Sequence, residues 1–283
     1  MTTTLRPTEP LQQEADGTRS RRFQVCVNSR PVGAVRLGTS PVFGDTVARV
    51  LDLRIDEADR RRGRATVAAL AAEEVARIWG CRRIEATVPA EAEAGLRLAA
   101  ALGYTERNRN LEKRLAVPPA SGAAPVELPA GSRVRSMTPE EFEAWRATEA
   151  EQYARDWIAR GVPEAEALAR SRADQRRLLP DGLATAGMEF RVLEFQGERA
   201  GLLWLRLGAG ETEPAYVYQV MTEEAVRGRG FGRLLMRLAE ERAGAAGHSA
   251  VCLNVFAGNV PAERLYASLG YRPTHHHLYK PLL

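Results

Sequence analysis

Lysine is almost missing from this 283-residue chain: Lys113 and Lys280 are the only two among 40 basic residues. A formal net charge of +4 therefore rests on arginine. Arginine meets phosphate or carboxylate with a planar fork of donors, which favours anionic ligands. The plainer reading of most single arginines is a solvated face. Cysteine is scarce as well. Cys26, Cys81 and Cys252 are isolated, odd in number and without C-x-x-C spacing. Neither a disulfide framework nor a zinc site is indicated, and no metal is expected. Aromatics make up only 6% of the chain, and acids are interspersed with the arginines. A nucleic-acid binder would instead show a contiguous basic face interleaved with aromatics. No apolar run approaches the roughly 20 residues of a membrane helix. The opening stretch "MTTTLRPTEPLQQEADGTRSRR" lacks the apolar core of a signal peptide, so residues 1–21 read as a polar tail and the expected location is cytoplasmic.

What is present suffices for packed cores: 45% hydrophobic residues over a length that suits two ordinary domains. Residues 116–132, "AVPPASGAAPVELPAGS", have no helical or strand period and read as an exposed linker. After it, Thr138, Pro139 and Glu141 form a helix-start signature with a capping box. Gly161 ends that helix and Pro163 restarts another. A hairpin ("EFRVLEF", "RAGLLWLRL"), the strand "PAYVYQVMT", a glycine-rich loop and the helix "FGRLLMRLAEERAGAAG" follow. The strand "SAVCLNVF", the helix "PAERLYASLG" and a last strand "HLYKPL" complete the order β-α-α-β-β-β-α-β-α-β. The first half repeats only the later part of this order and ends in the candidate strand "NLEKRL".

The two halves share specific words. "RGRGFG" at residues 227–232 matches "RRRGRA" at residues 60–65, and "LYASLGY" matches "LAAALGY". Arg227 lies 167 positions after Arg60, and Tyr271 lies 167 positions after Tyr104. One offset across two motifs indicates internal duplication. A strand feeding a glycine-rich loop into a helix makes an anion site, because the first N–H groups lack partners and the helix dipole is positive there. Gly230 and Gly232 carry no Cβ to obstruct a pyrophosphate, and Arg227 and Arg229 add charge. The G-x-G-x-x-G spacing of a Rossmann dinucleotide site is missing.

The element order, the R-x-x-G-x-G loop and "LNVFAGNVPAERLYASLGY" together resemble the GNAT superfamily of acyl-CoA-dependent N-acetyltransferases. The resemblance covers residues 133–283 in full and residues 22–115 as a shortened copy. The tandem arrangement is loosely similar to mycothiol synthase. It implies an α/β (α+β) fold of two tandem GNAT-like domains, each a mixed, mostly antiparallel sheet flanked by helices. It implies acetyl-CoA as co-substrate, held through Arg227, Gly228, Arg229, Gly230, Phe231 and Gly232, with Arg233 just beyond. Main-chain groups of Val220, Met221 and Thr222 are implied to pair with the pantetheine arm, and one of their N–H groups to polarise the thioester carbonyl. Asn259 is implied to contact the cofactor arm, and Tyr266 to protonate the departing thiolate or hold it by a hydrogen bond. Taken without the resemblance, Asn259 is a helix cap and Tyr266 a packing residue.

Three points stay open at this level. No general base stands out: Gln219 and Met221 accept no proton usefully, and Glu223 and Glu224 read as solvated. A water relay or an amine arriving neutral serves equally. The "THHH" run at residues 274–277 reads as turn and strand residues near the acceptor cleft, since three adjacent strand residues cannot share one face. Aligned on the shared Gly-Tyr, Tyr266 falls on Ala99 and Asn259 on Ala92, and the first copy lacks the two leading helices. One catalytic copy and one degenerate copy are expected, as a monomer with pseudo-dimeric domain pairing or a homodimer. The acceptor could be a small amine or antibiotic, a protein N-terminus or lysine, or a cysteinyl pseudo-disaccharide. The acceptor-side segment carries Tyr153, Asp156, Trp157 and Glu189. The alternative class is a non-catalytic acyl-CoA-sensing or nucleic-acid-binding module.

Overall fold

The structure is a computed structural model and describes residues 3–115, 126–159, 162–208 and 213–282. These form two compact units: Met1–Arg109 with His275–Leu283, and Asn110–Thr274.

The first unit starts with β1 (Thr3–Pro7), β2 (Gln12–Gln13), β3 (Arg19–Val27), β4 (Arg30–Ser40) and β5 (Gly44–Ile55). Helix α1 (Arg64–Ile78), β6 (Arg83–Pro89), α2 (Glu93–Ala101) and the first residues of β7 (Thr105–Arg114) follow. The described part of the expected tail, residues 3–21, is therefore not free chain. Thr3 to Pro7 pair antiparallel with Val27 to Phe23, and Leu5 packs against the buried Val25 and Val27 cluster. An unpaired edge on β3 would leave a row of backbone donors and acceptors open.

The second unit takes the rest of β7, then β8 (Ser132–Ser136), α3 (Pro139–Ile158), α4 (Glu164–Leu178), β9 (Met188–Phe195), β10 (Glu198–Arg206) and β11 (Ala215–Thr222). Helix α5 (Phe231–Ala245), β12 (Ala250–Phe256) and α6 (Val260–Ser268) complete it, before β13 (Arg272–Pro281). The expected element order holds throughout. Thr138 caps α3 by the expected box: its Oγ1 accepts from the Glu141 N–H at 3.3 Å, and Glu141 Oε2 accepts from the Thr138 N–H at 2.9 Å. Gly161, expected to end that helix, lies outside the described residues. So do residues 116–125 of the expected linker. Its described part is not free chain, since the Val126 N–H donates to Glu241 Oε2 at 2.9 Å.

The units do not follow the expected division at residues 22–115 and 133–283. Strand β13 closes the first unit, pairing antiparallel with β6 from His275↔Pro89 to Pro281↔Arg83. Strand β7, which follows α2 in sequence, ends in the second unit beside β12. The duplication explains why the exchange fits. Every element from the short 3-10 turn at Glu57–Asp59 through β7 recurs 167 positions later with identical bounds, as Glu224–Val226 through β13. The two closing strands are copies of one element, and each suits the other's slot.

In the second unit the sheet order is β7-β12-β11-β10-β9-β8. Side chains alternate between two cores, as the strand period of two requires. Leu203, Leu205 and Val217 join Leu235 and Met236 of α5 and Tyr266 of α6 on one face. Leu202, Trp204 and Val192 join Phe142 and Trp145 of α3 on the other. Helices α5 and α6 thus cover one side and α3 the opposite side.

Candidate active site

Three backbone features converge on the end of β11. The first is a bulge. Trp204 faces Gln219 and Leu205 faces Val217, so Tyr218 has no opposite number on β10. A bulge turns two successive side chains toward one face. Tyr218 contacts the Trp204 ring at 4.6 Å on the α3 side, and Gln219 bonds to Trp145 of α3 at 2.9 Å. The second is a splay. β11 and β12 pair in parallel at Ala215↔Val251, Tyr216↔Cys252 and Val217↔Leu253, where the register ends. From there to Thr222 this edge of β11 has no strand paired to it among the described residues, and that unpaired stretch is the gap between the strands. The third is the loop. Gly228 and Gly230 adopt left-handed φ of 78° and 87°, and Gly230 is the N-cap of α5 without any side-chain cap. The first helical N–H to close is that of Leu234, onto the Gly230 carbonyl at 3.0 Å. Among the described residues, the N–H groups of Gly228 to Arg233 have no partner. Six such donors at a helix start form an anion cradle.

Side chains around this frame sort the sequence expectations. Arg227, Gly228, Arg229 and Gly230 are exposed. Arg229 lies over the Phe195 ring at 5.8 Å. The Phe231 side chain is in the core against Phe195, so only its main chain faces the loop. Arg233 donates to Ser268 Oγ at 2.6 Å and links α5 to α6. A Cβ at Gly232 would meet Leu265 of α6 at 3.3 Å, so this glycine also serves close helix packing. Val220 leans to the α5 core and Met221 to the α3 core, leaving their main chain with that of Thr222 along the gap. Asn259 caps α6 by accepting from the Ala262 N–H at 3.3 Å. Asn259→Ala is therefore expected to cost ~1 kcal/mol in a denaturant or thermal unfolding experiment, whatever it does to ligand affinity.

Tyr266 is 8% exposed and belongs to the α5–α6 core. No described side chain hydrogen-bonds its hydroxyl. Burial pushes the phenol up to about 12, so it stays protonated and available as a donor.

On the opposite side, α3 carries Trp145, Glu149, Tyr153 and Trp157, four residues apart and hence on one stripe. The Trp145 Nε1–H donates to Gln219 Oε1 at 2.9 Å, and Gln219 Nε2 donates to Glu149 Oε2 at 2.8 Å. Tyr153 and Trp157 meet the Phe256 ring, at the end of β12, at 6.0 and 5.4 Å. Burial raises the Glu149 carboxyl to about 7, against the bond from Gln219, and nearby Asp156 adds to the rise. Sequence reading missed Glu149. Its only signal was a lone acid in a stripe of aromatics. Glu223 and Glu189 take no part: Glu223 accepts from Arg199 at 2.7 Å, and Glu189 pairs with Arg242 and Arg191.

His275, His276 and His277 do not belong to the unit that holds this site. They lie in the first unit on β13, with His276 Nδ1 2.7 Å from Glu106 and His277 Nδ1 3.1 Å from Thr87. The exchange of closing strands carries them there. Burial, with Arg107 next, lowers His277 to about 4, so it is neutral. Among the described residues no group of His, Cys, Asp and Glu is arranged to hold a metal ion. No described helix is long and apolar enough to cross a membrane.

The first unit keeps the same frame. Leu51 is the bulge on β5, and parallel pairing with β6 stops at Val50↔Ala86. Gly63 is a left-handed N-cap with φ of 71°, and Arg61 takes the positive φ of Gly228. What differs is side chains. Ala99 stands at the Tyr266 position and Ala92 is an N-cap with no side-chain bond. Arg64, in place of Phe231, forms a buried ion pair with Asp59, which also binds Arg30 at 2.7 Å.

The sequence profile of the Acetyltransferase (GNAT) family matches residues 2–104 and again residues 142–271. The chain belongs to the GNAT acetyltransferase family. It is an acyltransferase with two GNAT segments in tandem, and the family's co-substrate is acetyl-CoA. A Bacillus subtilis (strain 168) protein described as the uncharacterized N-acetyltransferase YdgE is 34% identical over 152 residues, 53% of this chain and 97% of its own. The mycothiol acetyltransferase of Clavibacter sepedonicus is 29% identical over 241 residues, 83% of this chain and 73% of its own. A GCN5-related N-acetyltransferase from Sphaerobacter thermophilus shares the fold, with a TM-score of 0.56 at 18% identity over 92% of this chain and 80% of its own. GNAT likeness thus extends over one copy in some relatives and over both in others.

Proposed function

We propose that this GNAT protein transfers an acetyl group from acetyl-CoA to a primary amine, and that the second unit alone does so. The observation that carries the proposal is the difference between two equal frames. Bulge, splay and left-handed glycine cap occur in both units, but among the described residues only the second has a tyrosine, Tyr266, in its α5–α6 core and the two leading helices α3 and α4.

The unpaired N–H groups of Gly228 to Arg233 suit a pyrophosphate, with Arg227 and Arg229 adding charge. The β11 edge at Val220, Met221 and Thr222 suits the amide groups of a pantetheine arm, as an added strand would. Acetyl-CoA supplies an acetyl group activated as a thioester. A β11 N–H holds the carbonyl oxygen in this reading as negative charge builds on it. Tyr266, neutral by burial, donates a hydrogen bond to the departing sulfur. Its phenol lies above the ~8.5 of an ordinary thiol, so holding the thiolate is favoured over complete proton transfer. The acceptor enters from the α3 side, between Glu149, Tyr153 and Phe256. In the first unit Ala99 offers no donor, and its loop serves structure.

The test is thiol release from acetyl-CoA across tyramine, phenethylamine, spermidine, glucosamine and an alanyl peptide. Amine-dependent release with at least one of these is expected, together with a mass gain of one acetyl group on the amine. Thiol release at the no-amine rate throughout, beside salt-sensitive binding to nucleic acid, would sink the enzyme reading in favour of a binding module.

A further inference from the structure

The second unit holds a half-buried carboxylate that the roles assigned above leave unused. We infer that Glu149 is the general base of the transfer, and that Gln219, fixed by Trp145, is its positioning residue. The inference rests on the acetyl-transfer reading of the same site.

Geometry places Glu149 over the gap. One end of the α3 stripe is anchored above β10 and β11, where the Trp145 ring packs on Trp204 at 5.2 Å and its N–H bonds Gln219. The other end is anchored above β12 through Phe256. The strands cease pairing between these anchors, at Val217 and Leu253. Glu149 is one turn from Trp145 and one turn from Tyr153, so it stands over the opening. Tyr266 packs on the opposite face of the sheet, in the α5–α6 core. A base and a hydrogen-bond donor on opposite sides of a splayed strand pair is the arrangement that an entering amine and a leaving sulfur need.

The bulge decides the positioning. Because Tyr218 is extra, Gln219 turns to the α3 side rather than into the α5 core. Trp145 has only a donor to offer, so Gln219 presents its oxygen to Trp145 and its NH2 to Glu149. One carboxylate oxygen is thereby occupied and the second left for the substrate. Glu149 takes the proton that the amine nitrogen sheds as its lone pair forms the N–C bond and the C–S bond breaks with its electron pair on sulfur.

The ionisable surroundings agree. On α3, Asp156 raises the carboxyl. On β11 and β12, Tyr216, Tyr218 and Cys252 are pushed up by burial and stay neutral. Arg206 of β10 and Arg170 and Asp174 of α4 act on those tyrosines and on Tyr153 rather than on Glu149. A group that ionises near 7 is matched to base catalysis at neutral pH.

Glu149→Gln keeps size and the bond from Gln219, so the variant should fold. With the best amine of the panel, its kcat is expected to fall ~10²-fold at pH 7. The acidic limb near 7 in the native kcat profile should vanish, and the deficit should narrow above about pH 9, where solvent base and neutral amine take over. Calorimetric affinity for CoA should not change. Gln219→Leu should move the limb and lower kcat without altering KM for acetyl-CoA. Native turnover with an unchanged rate and limb in Glu149→Gln overturns the base assignment alone. No native turnover with any amine overturns the acetyl-transfer reading and this inference with it.

Discussion

Tyr266→Phe lowers kcat about 10³-fold, within the range for loss of one positioned acid or hydrogen-bond donor, while KM for acetyl-CoA changes little. The hydroxyl oxygen is the only heavy atom removed. Because no described side chain bonds it, its loss leaves no partner unsatisfied and stability should hold. An interaction made only as sulfur departs lowers kcat and kcat/KM together. Steady-state rates at saturating acetyl-CoA, beside a thermal melt, check both parts. A fall below tenfold would assign Tyr266 to packing against Tyr271, whose ring is 5.9 Å away.

Gly230→Val abolishes measurable acetyl-CoA binding and turnover, whereas Gly63→Val leaves both in place. The pair is matched by structure. Each glycine is a left-handed N-cap, with φ of 87° and 71°, and a Cβ at either would meet nothing within 4 Å. No clash arises, so the cost is conformational, ~1–2 kcal/mol for a side chain held at positive φ. Both variants should lose similar stability in a melt. Only at Gly230 does the same strain also turn N–H groups away from a pyrophosphate. Calorimetric titration with CoA, with turnover on the best amine, separates the two. Equal loss of activity at both positions would show that the first unit takes part in the reaction.

Much of the site was legible because local physics wrote it. A glycine that must adopt positive φ, an asparagine before a helix and a proline inside a helix start each act through neighbours within four residues. The loop, Asn259 and the α3 capping box therefore stand where expected. Residues 1–21 misled because five polar-leaning residues carry little periodicity. Their strand exists because β3 has an edge to cover. The histidines misled for a like reason. Their neighbours along the chain belong to the second unit, but their hydrogen bonds are made in the first.

The chain by itself determined the duplication, since one offset of 167 links both the loop and the Gly-Tyr motifs. It also carries the difference on which the one-site proposal rests, since Ala99 and Ala92 are visible as letters at the positions of Tyr266 and Asn259. Tertiary structure alone decided which strand closes which unit, because a copied strand fits either slot and only long-range pairing chooses. It alone also brought Gln219 to Glu149. That residue accepts no proton, and only a bulge opposite Trp204 turns it toward Glu149, 70 positions away in the chain.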